Sequence, residues 1–246
     1  SLSADSDSKV IRGEENGVTR VYSVAEAEKF IKANTESLPI IEKKWDFTEN
    51  TTAIEGENVT VVSGSAAWNE TNQNIKFNSN VTAPGTLSLK LNPAIGNKAN
   101  VNFDLYVGAL GGQTFTYTIN DSEGTNLVNC SFNVYNGTGS MVIGGEEIAV
   151  DGDVTSAVSK VNGDGMSASV TQVSNEINFA TNTVTVNIGS KSFTGKLTGA
   201  ETGLISDISF KSERSKKADR SIYLDNLVVR EYETDSSDTD ETAFPK

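Results

Sequence analysis

The chain of 246 residues has no histidine, one cysteine and four prolines, and aromatic residues make up only 7% of it. Without histidine there is no Ser-His-Asp or Cys-His machinery, because the usual general base near neutral pH is missing. Zinc sites built from His and Cys are excluded too, since they take three or four such ligands. A lone Cys130 forms no internal disulfide, so stability has to come from a packed core. Positive charge is also scarce: 20 Lys and Arg stand against 33 Asp and Glu, a formal net charge of −13. Nucleic-acid affinity rests on phosphate neutralisation, so an acidic chain with no dense basic stripe is not expected to bind nucleic acid. No run of 18 apolar residues occurs, and no membrane insertion is expected. Carboxylate chemistry, calcium and plain binding survive these exclusions.

The chain is rich instead in Thr, Ser, Asn and Gly, with a low hydrophobic content of 36%. That composition suits many short half-polar strands joined by polar turns. Seven Asn-x-Ser/Thr triplets, beginning at Asn50, Asn58, Asn69, Asn80, Asn120, Asn129 and Asn136, would invite heavy glycosylation in a eukaryotic secreted protein. With no disulfide available, a secreted or cell-surface bacterial protein is the preferred reading.

Residues 1–17 are polar, charged and aperiodic, and read as a flexible leader. Ser23 and Glu26 stand at capping-box spacing, and Val24, Ala27, Phe30 and Ile31 make one apolar face. One short helix is therefore expected within residues 18–42, an extension packing on a sheet domain. From Trp45 onward the period is two. Val101, Phe103, Leu105 and Val107 share one face against Asn102, Asp104 and Tyr106. Phe115, Tyr117 and Ile119 alternate with threonines, and Val128, Cys130, Phe132 and Val134 alternate with Asn129, Ser131, Asn133 and Tyr135. Ten or more such runs separated by turn residues predict an all-β fold, an antiparallel two-sheet β-sandwich (jelly roll) over residues 43–232. Residues 233–246 hold five acids and one lysine, which suits a linker to further modules.

Four kinds of site are conceivable. Glu146, Glu147, Asp151, Asp153 and Asp164 offer carboxylates for glycoside hydrolysis, but all fall in Gly-rich turns where acids serve as solvated turn formers. A structural calcium is a second option: Asp46 or Glu49 in the first strand and Asp225 in the last come side by side if the sandwich joins its ends. A third is a sugar-binding surface, in which aromatic faces stack on pyranose rings while amides and carboxylates meet the hydroxyls. Trp68 lies in an Asn/Gln-rich stretch; Tyr106 accompanies Asn102 and Asp104, and Tyr135 accompanies Asn129 and Asn133. Two neighbouring strands carrying these faces would form one platform. The competing reading folds each aromatic over the rim of the core, and Trp45, sharing a face with Phe47, belongs to the core. The fourth is the basic cluster Lys211, Arg214, Lys216, Lys217 and Arg220, which could meet an anionic polysaccharide such as pectin but reads more simply as a solvated loop.

Trp45-Asp46-Phe47, the strand Val101–Leu105 and the closing Ile222-Tyr223-Leu224-Asp225-Asn226-Leu227-Val228-Val229 together resemble jelly-roll carbohydrate-binding modules of gut clostridial polysaccharide-degrading systems. That resemblance implies non-catalytic capture of a plant polysaccharide, often with a structural calcium, in a protein tethered to enzymes or a cell surface. A looser resemblance runs to a starch adherence system protein, which implies an α-1,4-glucan ligand. Other plant cell-wall glycans, or a protein partner bound by an adhesin or scaffold domain, are the alternatives.

Overall fold

The computed structural model describes residues 2–5, 10–15, 18–23, 38–50, 59–78, 81–108, 112–149, 152–158, 160–161, 170–215 and 221–234. The chain divides into two units, Ser1–Ile40 and Ile41–Lys246. In the first, β1 (Leu2–Asp5), β2 (Val10–Glu15) and β3 (Val18–Ser23) make a three-stranded antiparallel sheet. The expected flexible leader is thus corrected: β2 and β3 pair in register from Glu15↔Val18 to Val10↔Ser23. Asn-Gly at 16–17 separates them in the sequence, the dipeptide that signals a two-residue hairpin most strongly. The helix expected from Val24 lies outside the described residues, as do residues 235–246 of the acidic tail.

The second unit is a sandwich of two sheets. One has the order β13-β12-β11-β10-β18-β8-β5, formed by Glu146–Ala149, Thr138–Ile143, Asn126–Asn133, Gln113–Asp121, Ile205–Arg214, Gly85–Ile95 and Val59–Ser63. The other runs β17-β16-β15-β9-β19-β7-β6, formed by Lys191–Lys196, Thr183–Ile188, Thr171–Asn178, Lys98–Gly108, Ile222–Tyr232, Asn74–Phe77 and Ala66–Asn69. It has two further members: β4 (Ile41–Trp45) pairs β19, and β14 (Lys160–Val161) pairs β9 in parallel. All other pairings of the sandwich are antiparallel, as the period-two pattern predicts. The one helix among the described residues of this unit is Asp153–Ala157, in a stretch that reads as a turn in sequence. No described helix is long and apolar enough to cross a membrane.

Among the described residues of the sandwich most hydrophobic side chains lie buried between the sheets. Rings from both sheets meet edge to face at the centre: Phe103 lies 5.0 Å from Tyr117 and 5.0 Å from Phe210. A polar link crosses this core beside the rings. The Tyr117 hydroxyl donates to Asn175 Oδ1 at 2.8 Å, and Asn175 Nδ2 donates to the Val101 carbonyl at 3.0 Å. Burial holds the Tyr117 phenol well above its usual range, so it stays a donor.

Candidate functional site

Strand β9 lies in the middle of the nine-stranded sheet. Its alternation buries Val101, Phe103, Leu105 and Val107 and leaves Asn100, Asn102, Asp104 and Tyr106 half-buried on the outer face. Register supplies their neighbours. β15 sets Gln172 beside Asp104 and Ser174 beside Asn102. β19 sets Tyr223 beside Tyr106 and Asp225 beside Asp104.

After Asp225 the ladder shifts in a bulge that resumes at Val228, and Asn226 takes a left-handed φ of 50°. There its side-chain amide donates to Asp104 Oδ2 at 2.8 Å while its backbone N–H donates to Asp225 Oδ1, also at 2.8 Å. The bulge also marks where the neighbour of β19 changes from β7 to β4. On the β7 side, Lys76 Nζ stands 5.7 Å from the Tyr223 ring centroid, a cation–π contact that helps hold the buried ring.

Charge and solvation on this face follow from that arrangement. Burial raises the Asp225 carboxyl to about 6; repulsion from Asp104 and Asp46 adds to the rise and the Asn226 N–H opposes it. Burial, then the charges of Asp104 and Asp225, raise the Tyr106 phenol, so its hydroxyl remains a donor. Asn102 Oδ1 is shielded from solvent and has no hydrogen-bond partner among the described residues. The carboxylates of Asp104 and Asp225 make this face acidic, which disfavours an anion.

The Asp225 shift has a stability consequence with a definite sign. Between its ordinary 3.8 and about 6, the folded protein holds a proton that the unfolded chain has released. Stability then falls as pH rises through that window and stays at the lower level above it. Asp225→Asn removes this cost: thermal unfolding near pH 7.5 should show a gain of about 1 kcal/mol after screening at a half-exposed site, fading to none near pH 4. An equal gain at both pH values would assign the effect to something other than this carboxyl.

Of the residues expected to bind ligand, only Asn102, Asp104 and Tyr106 share one face. Asn129, Asn133 and Tyr135 belong to β11 and its following turn, in the other sheet, so the single platform on neighbouring strands is corrected. Asn133 is buried: its Nδ2 donates to Thr114 Oγ1 and Ser215 Oγ, and its Oδ1 accepts the backbone N–H groups of Tyr135 and Asn136. It builds the turn that carries the exposed Tyr135. Asn129 stays on the outer face of that sheet, between Thr118 and Val142. Trp68 is not an exposed platform either. In β6 it pairs opposite the core residue Ile75, packs half-buried against the core, and donates its indole N–H to the Phe47 carbonyl at 3.0 Å.

Asp46, Glu49 and Asp225 are the residues expected to hold calcium. The first and last strands of the sandwich do join, with Trp45 opposite Leu227, and this brings Asp46 within electrostatic reach of Asp225. Asp46 Oδ1, however, accepts from the Thr48 N–H and hydroxyl, and Glu49 is exposed four residues past the strand. Among the described residues no group of three or more Asp, Glu or Cys side chains is arranged to hold a metal ion. Within the basic cluster, Lys211 pairs with Glu213 at 2.8 Å, and residues 216–220 lie outside the described residues.

Sequence reasoning did not place Gln172, Ser174, Tyr223 or Asn226 in a site. The signal available was the alternation of Val173, Asn175 and Ile177 in β15, but only the pairing of β15 and β19 with β9 brings those residues to Tyr106.

No family model matches the sequence, and no curated protein matches it. Solved structures do share the sandwich. Lectin II from Ulex europaeus aligns over 78% of this chain and 99% of its own, at 10% identity and a TM-score of 0.51. The Emp47p carbohydrate recognition domain aligns over 76% of this chain and 93% of its own, at 9% identity and a TM-score of 0.52. A sialidase aligns over 81% of this chain at 13% identity and a TM-score of 0.51, and this chain spans 19% of that protein's length. At such identities the likeness is one of fold: a lectin-like antiparallel sandwich.

Proposed function

We propose that the protein is a non-catalytic glycan-binding module whose ligand lies across the outer face of β15, β9 and β19. The observation that carries this reading is the cross-strand row itself. Tyr106 offers an aromatic face, and Asn102, Asp104, Gln172 and Asp225 offer amide and carboxylate groups in register beside it. The fold adds support, since a lectin and a carbohydrate recognition domain are built on the same sandwich.

Within this reading a neutral glycan is favoured over pectin, because Asp46, Asp104 and Asp225 concentrate negative charge at the site. An α-1,4-glucan is the specific proposal, and it rests on the resemblance to starch-capturing modules. Capture of a polymer of this kind is work for a secreted or surface-held protein.

Affinity electrophoresis against amylopectin, pectin, xylan and β-glucan tests the proposal. Amylopectin should retard the protein, insensitively to salt. Tyr106→Ala should weaken that retardation about tenfold or more with thermal unfolding unchanged. Unchanged binding by both Tyr106→Ala and Asn102→Ala would move the site off this face. Silence across all four polysaccharides would favour a protein partner instead.

A further inference from the structure

The two sheets do not meet evenly along the edge where β13 and β17 lie. At one end they are pressed together: a Cβ on Gly195 of β17 would stand 2.8 Å from Ile143 Cβ, so only glycine admits this approach. At the other end the helix Asp153–Ala157 is wedged between the layers. Its Val154 is fully buried, and a Cβ on Gly139 of β12 would come within 2.9 Å of Val154 Cβ. Between the pinch and the wedge a groove of about 390 Å³ remains, lined by Ile148, Asp153, Lys191, Ser192, Phe193 and Thr194.

The two structural stops on either side make this groove part of the packed frame rather than a gap between loops. Phe193 and Ile148 are half-buried and packed against the core, so their positions are held from beneath. Lys191 shares the inward face of β17 with Phe193, and together with Asp153 it gives the groove one ammonium and one carboxylate group, while the side chains of Ser192 and Thr194 alternate to the opposite face of the strand. A single aromatic ring framed by hydrogen-bonding groups of both charge signs fits an uncharged polyhydroxylated ring better than an anion, a cation or an apolar molecule. Another surface depression, about 320 Å³ around Ser88, Lys90, Asp207 and Ser209, has polar groups but no aromatic residue in its lining.

We infer that the groove at Phe193 is a second saccharide subsite, separate from the Tyr106 face. The inference rests on the glycan-binding reading and extends it. Tyr106 lies on β9, whereas Phe193 lies on the edge strand β17, with β16 and β15 between them. One polymer chain, or two chains of one granule, can therefore engage both sites. Linked binding of this kind strengthens attachment to a polymer far more than to a short oligosaccharide.

The test uses maltoheptaose and amylopectin with the full chain and its variants. Amide chemical shifts followed by NMR during a maltoheptaose titration should move in two groups, one along β9 and one at Ile148 and Ser192–Thr194. Phe193→Ala should abolish the second group only and weaken amylopectin retardation by about tenfold through lost avidity. Because Phe193 also packs on the core, Lys191→Gln and Asp153→Asn provide variants with the ring in place, each expected to weaken the second group of shifts severalfold. Shifts confined to β9, with all three variants binding amylopectin like the parent, would overturn the second subsite and leave the Tyr106 reading intact. Shifts confined to the groove, lost in Phe193→Ala and indifferent to Tyr106→Ala, would support the groove and overturn the Tyr106 face. Absence of any shift and of any retardation would overturn both.

Discussion

Phe210→Ala is expected to cost the folded protein about 3–5 kcal/mol, the loss typical of removing a fully buried aromatic side chain. Phe210 is fully buried in β18, in the middle of the seven-stranded sheet. Its ring stands 5.0 Å from Phe103 at an interplanar angle of 86°, and 6.3 and 6.4 Å from Phe115 and Tyr117. Phe103 belongs to the opposite sheet, so truncation of Phe210 opens a cavity at the contact between layers. The chain has no disulfide to limit the damage, and a total stability of about 5–15 kcal/mol leaves little reserve. Denaturant unfolding at neutral pH measures the loss. A cost below about 1 kcal/mol would mean that strand pairing, and not the ring cluster, holds the two sheets together.

Asn175→Ala is expected to cost about 2–4 kcal/mol, for a different reason. The Asn175 side chain is fully buried and serves two partners at once, the Tyr117 hydroxyl and the Val101 carbonyl. Its removal leaves a buried hydroxyl without an acceptor, which costs about 1–3 kcal/mol beyond the lost packing. The cycle with Tyr117→Phe separates these terms. In the parent protein Tyr117→Phe should destabilise by about 1 kcal/mol, because it strips Asn175 Oδ1 of its donor. In the Asn175→Ala background the same change should be neutral or stabilising, since the orphaned hydroxyl disappears. Additive losses in the double variant would show that the two side chains are not coupled across the core.

These two changes also show where sequence reading works. Phe103, Phe115, Tyr117 and Phe210 sit at core positions that the period-two pattern marks out. Which of them touch across the layers depends on strand order, which alternation does not encode. Asn175 alternates with the polar residues of β15 as a buried residue would, but an asparagine in that place reads as an exception until its two partners are visible.

The candidate site follows the same division. Tyr106, Asp104 and Asn102 were legible as one face, because alternate residues of a strand point to the same side. Trp68 departs from its expected place because local polarity suggests exposure, whereas Tyr135 is exposed but in a turn of the other sheet. Trp68 lies among Asn and Gln residues yet faces inward opposite Ile75, and the strand bearing Asn133 ends there, so Tyr135 falls in a turn. The hairpin of residues 10–23 was within reach of sequence reading, since its Asn-Gly dipeptide stands between two Val-bearing runs. Charged residues along both strands hid the pattern.

By itself, the sequence determined what this protein cannot use, which residues face inward, and that one strand carries a tyrosine beside an amide and a carboxylate. Those are consequences of composition and of the two-residue period, both local properties of the chain. Only the tertiary structure decided that Asp225 and Asn226 join Asp104, that Asn129 and Tyr135 belong to another surface, and that a groove opens beside Phe193. Each of these depends on pairings between strands far apart in the chain. Such pairings are selected by the fit of whole inner faces against each other, and no local stretch of sequence contains that information.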